Sequence, residues 1–536
     1  MDNDQLKQTN QTSHQYKHQH QPQSQSQSQS QSQHQQKQEQ YKNHSSKILK
    51  EISRKAMIER ELLPEFSSEL LEELLQIVTI FESSSKEIDT SLIDLRHLPW
   101  CSIDNDDSKD LDQLTYAQIQ KEDKEVIKIL VAIADVDALV KKGSHIDDHA
   151  VKNTTSVYTA GEIFPLLPPK LSNDLTSLNL NQDRMSLVID MNIDMNILHE
   201  GKIKSSNIYQ AIVKNHAKLT YNSVGTWLEG KGEIPDEILN VKNLSRNIIL
   251  QDKVAQVLRK NRHEHGALDL LTIQARPIFH NDKFKNLEVD TKNRAKELIE
   301  DFMVAANTVT ARFLKSKRYP SLRRVVRQPE RWDKIVEVAA QYGHELPFTP
   351  NSYALSVFLK KQKIADPLRF PDLSLTIIKL LGKGEYIVEF PGDIEIGHFG
   401  LAVMDYTHST APNRRFPDLI TQRMLKAALK GMNFAYSNDE LIQLAQHCTK
   451  KEDDANKVER RVSKSAGALL LSSRIGETFD ALCTGAADKG TWVRIFNPPV
   501  EGRLIYGFAE VDVGHRLRVE LIHTNVEKGF IDFKRI

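Results

Sequence analysis

Cysteine is scarce in this chain: 536 residues contain three, Cys101, Cys448 and Cys483, an odd number without metal-ligand spacing. That excludes a disulfide framework and a cysteine-based zinc site, and it fits reduced thiols used for packing. Long apolar runs are missing too. None approaches the roughly 18 residues needed to span a bilayer, and the N-terminus lacks the apolar core of a signal peptide. The expectation is a soluble, cytoplasmic protein with no membrane partner. Net charge is also absent, since 72 Lys plus Arg balance 72 Asp plus Glu. With no global field to draw in a polyanion, any nucleic-acid contact must come from local clusters. The length exceeds the roughly 250 to 300 residues at which one hydrophobic core stops growing, so several domains are expected.

What is present begins with glutamine. Residues 1–43 are dominated by Gln, Ser and His, as in "QPQSQSQSQSQSQHQQKQEQ", and lack the apolar surface that would offset ordering entropy. This reads as a disordered tail with a tendency to self-associate; the irregular spacing of His14, His18, His20 and His34 argues against a metal site there. From 44 to 95 the pattern turns helical. Ile48, Leu49, Ile52, Ala56 and Met57 share one helix face, and "SSELLEELLQIV" follows Pro64. Such a module, helix-turn-helix or winged-helix-like, is either a packing unit or a grip on nucleic acid.

The stretch "SIDNDDSKDLDQ" (102–113) carries the chemistry. Asp104, Asp106, Asp107, Asp110 and Asp112 crowd five carboxylates into nine positions, between "LPWCSI" and "LTYAQI", which read as short strands. Hard oxygen ligands gathered on such a loop suit Mg²⁺ or Mn²⁺. A calcium EF-hand fails, because its sixth position needs Gly and its twelfth Glu, and the chain has Lys109 and Thr115. A plain solvated acidic turn is the competing assignment. Further on, "EVIKILVAIADVDALV" (125–140) opens as a strand buried on both faces. "KELIEDFMVAANTVTARFL" (296–314) repeats apolar residues at helical steps. Residues 473–536 break into short β-segments with glycine-containing turns, the pattern of a small OB-type barrel. Trp492, Arg494 and Phe496 are residue types that hold single-stranded nucleic acid on such barrels, whereas Phe479 reads as core.

Four blocks in order resemble the ribonuclease II family of processive 3′→5′ exoribonucleases. They are the acidic loop after "LPW", "VAIADVDALVKKGSHIDDHAVKNTTSVYTAGEIFPLLPPKLSNDLTSLN" (131–179), "AKLTYNSVGTWLE" (217–229) and "HFGLAVMDYTHSTAPNRRFPDLITQRML" (398–425). "RIGETFDALCTGAADKGTWVRIF" is similar to an RNA-binding domain of the ribosomal-protein S1 type. The resemblance covers nearly everything beyond residue 96 and implies a multidomain α+β protein. Its parts are the tail (1–43), the helical module (44–95), a mixed α/β catalytic domain (96–472) and an S1-type barrel (473–536).

The resemblance also implies roles. Asp104, Asp110 and Asp112 match the family's metal-binding and catalytic acids, while Asp106 and Asp107 have no fixed counterpart and are left to solvent or loop ordering. Many relatives carry a fourth Asp where this chain has Gln113, whose neutral amide oxygen still ligates Mg²⁺ but contributes no charge. Arg414 in "TAPNRRF" matches the arginine near the scissile phosphate; an ion pair with Asp418 is its structural alternative. Tyr158 resembles the aromatic that stacks on the base near the 3′ end. Tyr221 and Glu300 correspond to positions implicated in preferring ribose, and Glu459 to a further RNA-contacting glutamate. The second stacking aromatic is replaced by Leu270. The function so implied is a Mg²⁺-dependent hydrolase that threads single-stranded RNA 3′ end first and releases nucleoside 5′-monophosphates, acting as a monomer without an organic cofactor. An inert RNA-binding regulator on the same scaffold is the alternative, and a DNA-directed nuclease a third.

Overall fold

The structure, a computed structural model, describes residues 46–84, 92–196, 201–271, 275–280, 283–289, 292–487 and 490–536; the glutamine-rich tail lies outside them. The acidic loop hangs on a mixed six-stranded sheet. Its strands are β1 (Ile93–Asp94), β2 (Trp100–Asp104), β3 (Gln113–Ile119) and β4 (Val126–Ala134). After a small hairpin of β5 (Val157–Tyr158) and β6 (Ile163–Phe164) come β7 (Asp183–Asp194) and β8 (Ile203–Thr220). The order is β1-β8-β2-β3-β4-β7, with β7 also paired to β8. β8 is long enough to pair with β7, β1 and β2. Residues 203–214 run antiparallel to β7, and 215–220 then run parallel to β2, which sets Thr220 beside Asp104. β2 and β3 are antiparallel through Cys101 and Thr115, so the acidic loop is the connection between two strands, as its flanks predict. β4 is buried along its length except at Lys128, the mark of a strand covered on both faces.

Helices cover the sheet where their apolar stripes dictate. The Arg294–Ser316 helix buries Leu298, Ile299, Phe302, Ala306 and Val309 in the main core, the face its periodicity predicts. A 34-residue helix, Asn438–Leu471, starts at a capping box of Ser437 and Glu440 and ends against the C-terminal barrel. All three cysteines are buried and unpaired, in keeping with a packing role. Among the described residues no helix is long and apolar enough to cross a membrane.

The N-terminal helical module is present, but its two helices feed different cores. Residues 46–59 bury Leu49, Ile52, Ala56 and Met57 together with Val157, Phe164, Val458 and the barrel interior. The Ser68–Ser84 helix contributes Leu70 to the main core. Helices this short bury too little of each other, so each takes its apolar partner from a neighbouring body.

The C-terminal strands Thr478–Ala487, Gly490–Ile495, Glu501–Tyr506, Arg516–Asn525 and Phe530–Arg535 close into a five-stranded barrel of OB type. Phe479 is buried and meets Phe533 edge-on at 6.4 Å, the core position expected of it. Trp492 is half-buried, lies across Gly485 and Gly490, and stands opposite Arg503 on the neighbouring strand. Arg494 requires a correction. Expected to face RNA, it is 8% exposed, and its Nη2 donates to Asp372 Oδ1 at 2.8 Å. A guanidinium that far from solvent needs a counter-charge, and Asp372 on the Phe370–Leu381 helix supplies it, so Arg494 ties barrel to body.

Candidate active site

The site is built around the β2–β3 connection. Asp104 ends β2 and accepts a hydrogen bond from the Asn105 N–H (2.8 Å). The Ser108 hydroxyl lies 3.0 Å from Asp104 Oδ2 and 3.3 Å from Asp110 Oδ1. One proton cannot serve both at once, so two carboxylates converge on a single hydroxyl. Asp106 and Asp107 are exposed, and Asp106 accepts from Asn222 Nδ2 (3.2 Å), which is loop ordering rather than chemistry. The far end of the loop is pinned by Ser177, which accepts from the Leu111 N–H and donates to the Lys109 carbonyl, both at 2.9 Å.

Asp112 is 1% exposed. Its Oδ1 accepts from the Asn413 backbone N–H (2.9 Å) and its Oδ2 from Arg414 Nε (3.2 Å). Burial pushes its carboxyl up to about 7, because Arg414 does not fully offset the desolvation and Asp110 adds like-charge repulsion. Burial likewise raises the Asp104 carboxyl above its ordinary range, against the pull of Arg414. On Arg414 desolvation works against the charge, yet Asp112, Asp104 and Asp110 outweigh it and hold the guanidinium protonated. The alternative partner for Arg414 belongs to its neighbour: Arg415 Nη2 donates to Asp418 Oδ1 at 2.7 Å. Arg414 thus keeps a side chain 45% exposed beside a buried carboxylate, placed to take a second anion.

Tyr158, on β5, stands over the acids. Its hydroxyl donates to Asp110 Oδ2 (3.2 Å), its ring is 42% exposed, and its backbone N–H donates to Glu459 Oε1 (2.8 Å) on the long helix. Burial raises the Glu459 carboxyl, partly countered by that N–H. Tyr221 opens the Tyr221–Leu228 helix directly after Thr220, the residue opposite Asp104, and Lys296 sits 5.9 Å from its ring centre. Glu300 lies on the same helix as Lys296 and pairs with Lys292 at 3.5 Å. Gln113 is the first residue of β3, buried and opposite Ile133. Leu270 is partly buried against the cluster around Trp332 and Phe358. Trp492 and Arg494 stand apart on the barrel.

Asp104, Asp110, Asp112, Tyr158, Arg414 and Glu459 therefore form one connected site. Sequence reading missed Ser108, Asn413 and Ser177, which orient those acids. Ser108 alone carried a signal, as the one hydroxyl inside the acidic run. Among the described residues no three His, Cys, Asp or Glu side chains stand close enough to ligate one ion. The donor set nonetheless fits a hard divalent cation. Asp104 and Asp110 present oxygens to one shared point, and Asp112 beside them is paired with Arg414.

Residues 92–431 match the RNB domain, and residues 477–536 match the RNase II-type exonuclease C-terminal S1 domain. The chain belongs to the RNB family. Ribonuclease R of Escherichia coli (strain K12) is 29% identical to this RNB chain over 501 residues, 86% of the chain and 59% of that protein. Ribonuclease R 2 of Lactococcus lactis subsp. lactis (strain IL1403) is 30% identical over 509 residues, 88% of the chain and 73% of that protein. Among solved structures, Mycoplasma genitalium RNase R in complex with ribose-methylated single-stranded RNA superposes with a TM-score of 0.76 at 22% identity, over 90% of this chain and 77% of that one. The chain thus spans about three fifths of the Escherichia coli relative, and the structural likeness shows that the RNB fold is shared.

Proposed function

We propose that this RNB-family chain is a divalent-metal-dependent 3′→5′ exoribonuclease that takes single-stranded RNA and releases nucleoside 5′-monophosphates one at a time. The observation that carries this reading is the juxtaposition of Asp112 with Arg414 at 3.2 Å, beside two carboxylates that converge on Ser108. Family membership and the S1-type barrel support RNA as substrate.

In this reading Asp104 and Asp110 would hold Mg²⁺, and Asp112 and Gln113 would contribute through its water shell. When bound, the ion supplies charge neutralisation at the phosphate and a water of lowered pKa. Arg414 holds phosphate oxygens with the guanidinium edge left free by Asp112 and offsets the charge that develops on them. The backbone N–H of Asn413 and Arg414 keep Asp112 aimed. Tyr158 offers its exposed ring to the terminal base, oriented at the hydroxyl by Asp110 and at the backbone by Glu459. Tyr221 and Glu300 meet the ribose 2′-hydroxyl, which a site must hydrogen-bond to distinguish it from hydrogen. Trp492 and Arg503 receive the incoming strand on the barrel.

The test is a time course on 5′-labelled, unstructured RNA with Mg²⁺, an EDTA arm, and a matched DNA strand. Progressive shortening of the labelled strand with Mg²⁺, arrest with EDTA and an intact DNA strand are expected. RNA that stays intact in both arms while remaining bound would instead establish an inert RNA-binding scaffold.

A further inference from the structure

Beside the acidic loop lies a cavity of about 890 Å³ to which the mechanism above assigns nothing. Its wall is formed by the end of β8, the segment entering β2, and residues 237–247. Two cations line it, Lys218 and Lys242, and neither has a carboxylate partner among the described residues. Glu237 is the one carboxylate in the lining; Tyr116, His97 and His216 add rings, and asparagine amides complete it. The volume falls in the range that encloses a small ligand, and the balance of charge favours an anion.

Position gives the anion its identity. Lys218 Nζ donates to the backbone carbonyl of Ser108 at 2.7 Å, the residue whose hydroxyl bridges Asp104 and Asp110. Lys218 therefore links the cavity to the acidic loop directly. The ammonium has three donors and gives one to the Ser108 carbonyl, so an anion taken by the others pulls on a group already tied to the loop. Tyr158 and Arg414 do not line this cavity, which separates it from the site where the strand is read and suits it to a small ligand. Tyr116, half-buried and propped by the Trp100 ring at 6.0 Å, offers a planar surface of the kind on which a base stacks.

We infer that this cavity binds a nucleoside 5′-monophosphate, phosphate toward Lys218 and Lys242 and base toward Tyr116, and that through Lys218 it reports product to the acidic loop. The choice of mononucleotide as the natural occupant rests on the exoribonuclease reading, but the binding site itself does not. The experiment is equilibrium binding of uridine 5′-monophosphate to the full chain in EDTA, where no turnover occurs, with arms for uridine alone and inorganic phosphate alone. The nucleotide should bind at least about tenfold more tightly than either half. Lys242→Glu and Tyr116→Leu should each weaken it by about tenfold or more, since each removes a charge-assisted or stacking contact. Asp112→Asn should bind it as the unaltered chain does.

Loss of binding in Asp112→Asn with none in Lys242→Glu would place the nucleotide among the catalytic acids and overturn the inference. So would phosphate alone binding as well as the nucleotide. Absent nucleotide binding in a chain that degrades RNA defeats this inference alone. Intact binding in a chain that degrades nothing defeats only the exoribonuclease reading.

Discussion

Replacing Arg494 by methionine keeps the aliphatic stem and removes the guanidinium that faces Asp372 at 2.8 Å between barrel and body. The two side chains are 10% and 4% exposed, and Asp372 Oδ2 has no hydrogen-bond partner among the described residues. Burial already holds the Asp372 carboxyl above its ordinary value of 3.8, despite the opposing pull of Arg494. Without the guanidinium that carboxylate is buried and uncompensated, and taking up a proton becomes its cheapest escape. Protonating at pH 7 a group whose unfolded value is 3.8 costs roughly 4 kcal/mol, at 1.36 kcal/mol per unit. The folded value lies above the unfolded one, so the penalty is absent below 3.8 and grows by about 1.4 kcal/mol per pH unit as pH rises towards the folded value. Thermal unfolding of Arg494→Met should therefore show a small loss near pH 5, roughly 1.5 kcal/mol, and a large one near pH 7. Adding Asp372→Asn should restore most of it at the higher pH. Equal destabilisation at both values, or no rescue by the amide, refutes the reasoning.

Asp112→Asn should abolish RNA degradation while RNA binding, read by filter retention, stays within about threefold, because the lost charge serves Arg414 and the phosphate rather than the strand. Tyr158→Ala should leave longer terminal remnants on a denaturing gel; an unchanged product ladder would remove Tyr158 from base recognition. Gly161→Val places a Cβ 2.3 Å from the Leu49 carbonyl oxygen and 2.4 Å from Ser53 Oγ, so the 46–59 helix must lift from the turn after Tyr158. Overpacking of this kind costs about 1 to 3 kcal/mol, seen as a lowered Tm, and should shift remnant length in the same direction as Tyr158→Ala. His149 is buried against Phe66, and its Nε2 accepts from Asn153 Nδ2 (3.1 Å), which requires a neutral ring. Burial pushes it down to about 4, below the unfolded 6.5, so its stability contribution is complete above 6.5 and is lost as pH falls through 4. The loss reaches roughly 3 kcal/mol. His149→Gln should flatten that part of the acid dependence of Tm.

The sequence made the acidic loop legible because five carboxylates cannot crowd between two strands without consequence, and the loop lies where its flanks predict. Strand β4 was legible as a near-continuous apolar run, which a strand covered on both faces needs, and the Arg294–Ser316 helix as a periodicity that matches one buried face. Adjacent identical residues were not: "RR" does not say which arginine meets Asp418, and only the turn before the Phe416–Lys430 helix sends Arg415 there and Arg414 to Asp112. Arg494 misled because a charge in sequence carries no record of its burial; its partner Asp372 lies 122 positions away. Ser177, Asn413 and Lys218 stayed hidden because each acts through backbone contacts across a long loop closure.

The long helix bears on how force travels. At 1.5 Å per residue its 34 residues form a rod of roughly 50 Å, anchored at one end in the catalytic body and at the other against the barrel. Glu459, partway along, grips the backbone of Tyr158. A load on the barrel would pass along this one helix to the carboxylate that holds the Tyr158 backbone, so barrel and site are mechanically joined.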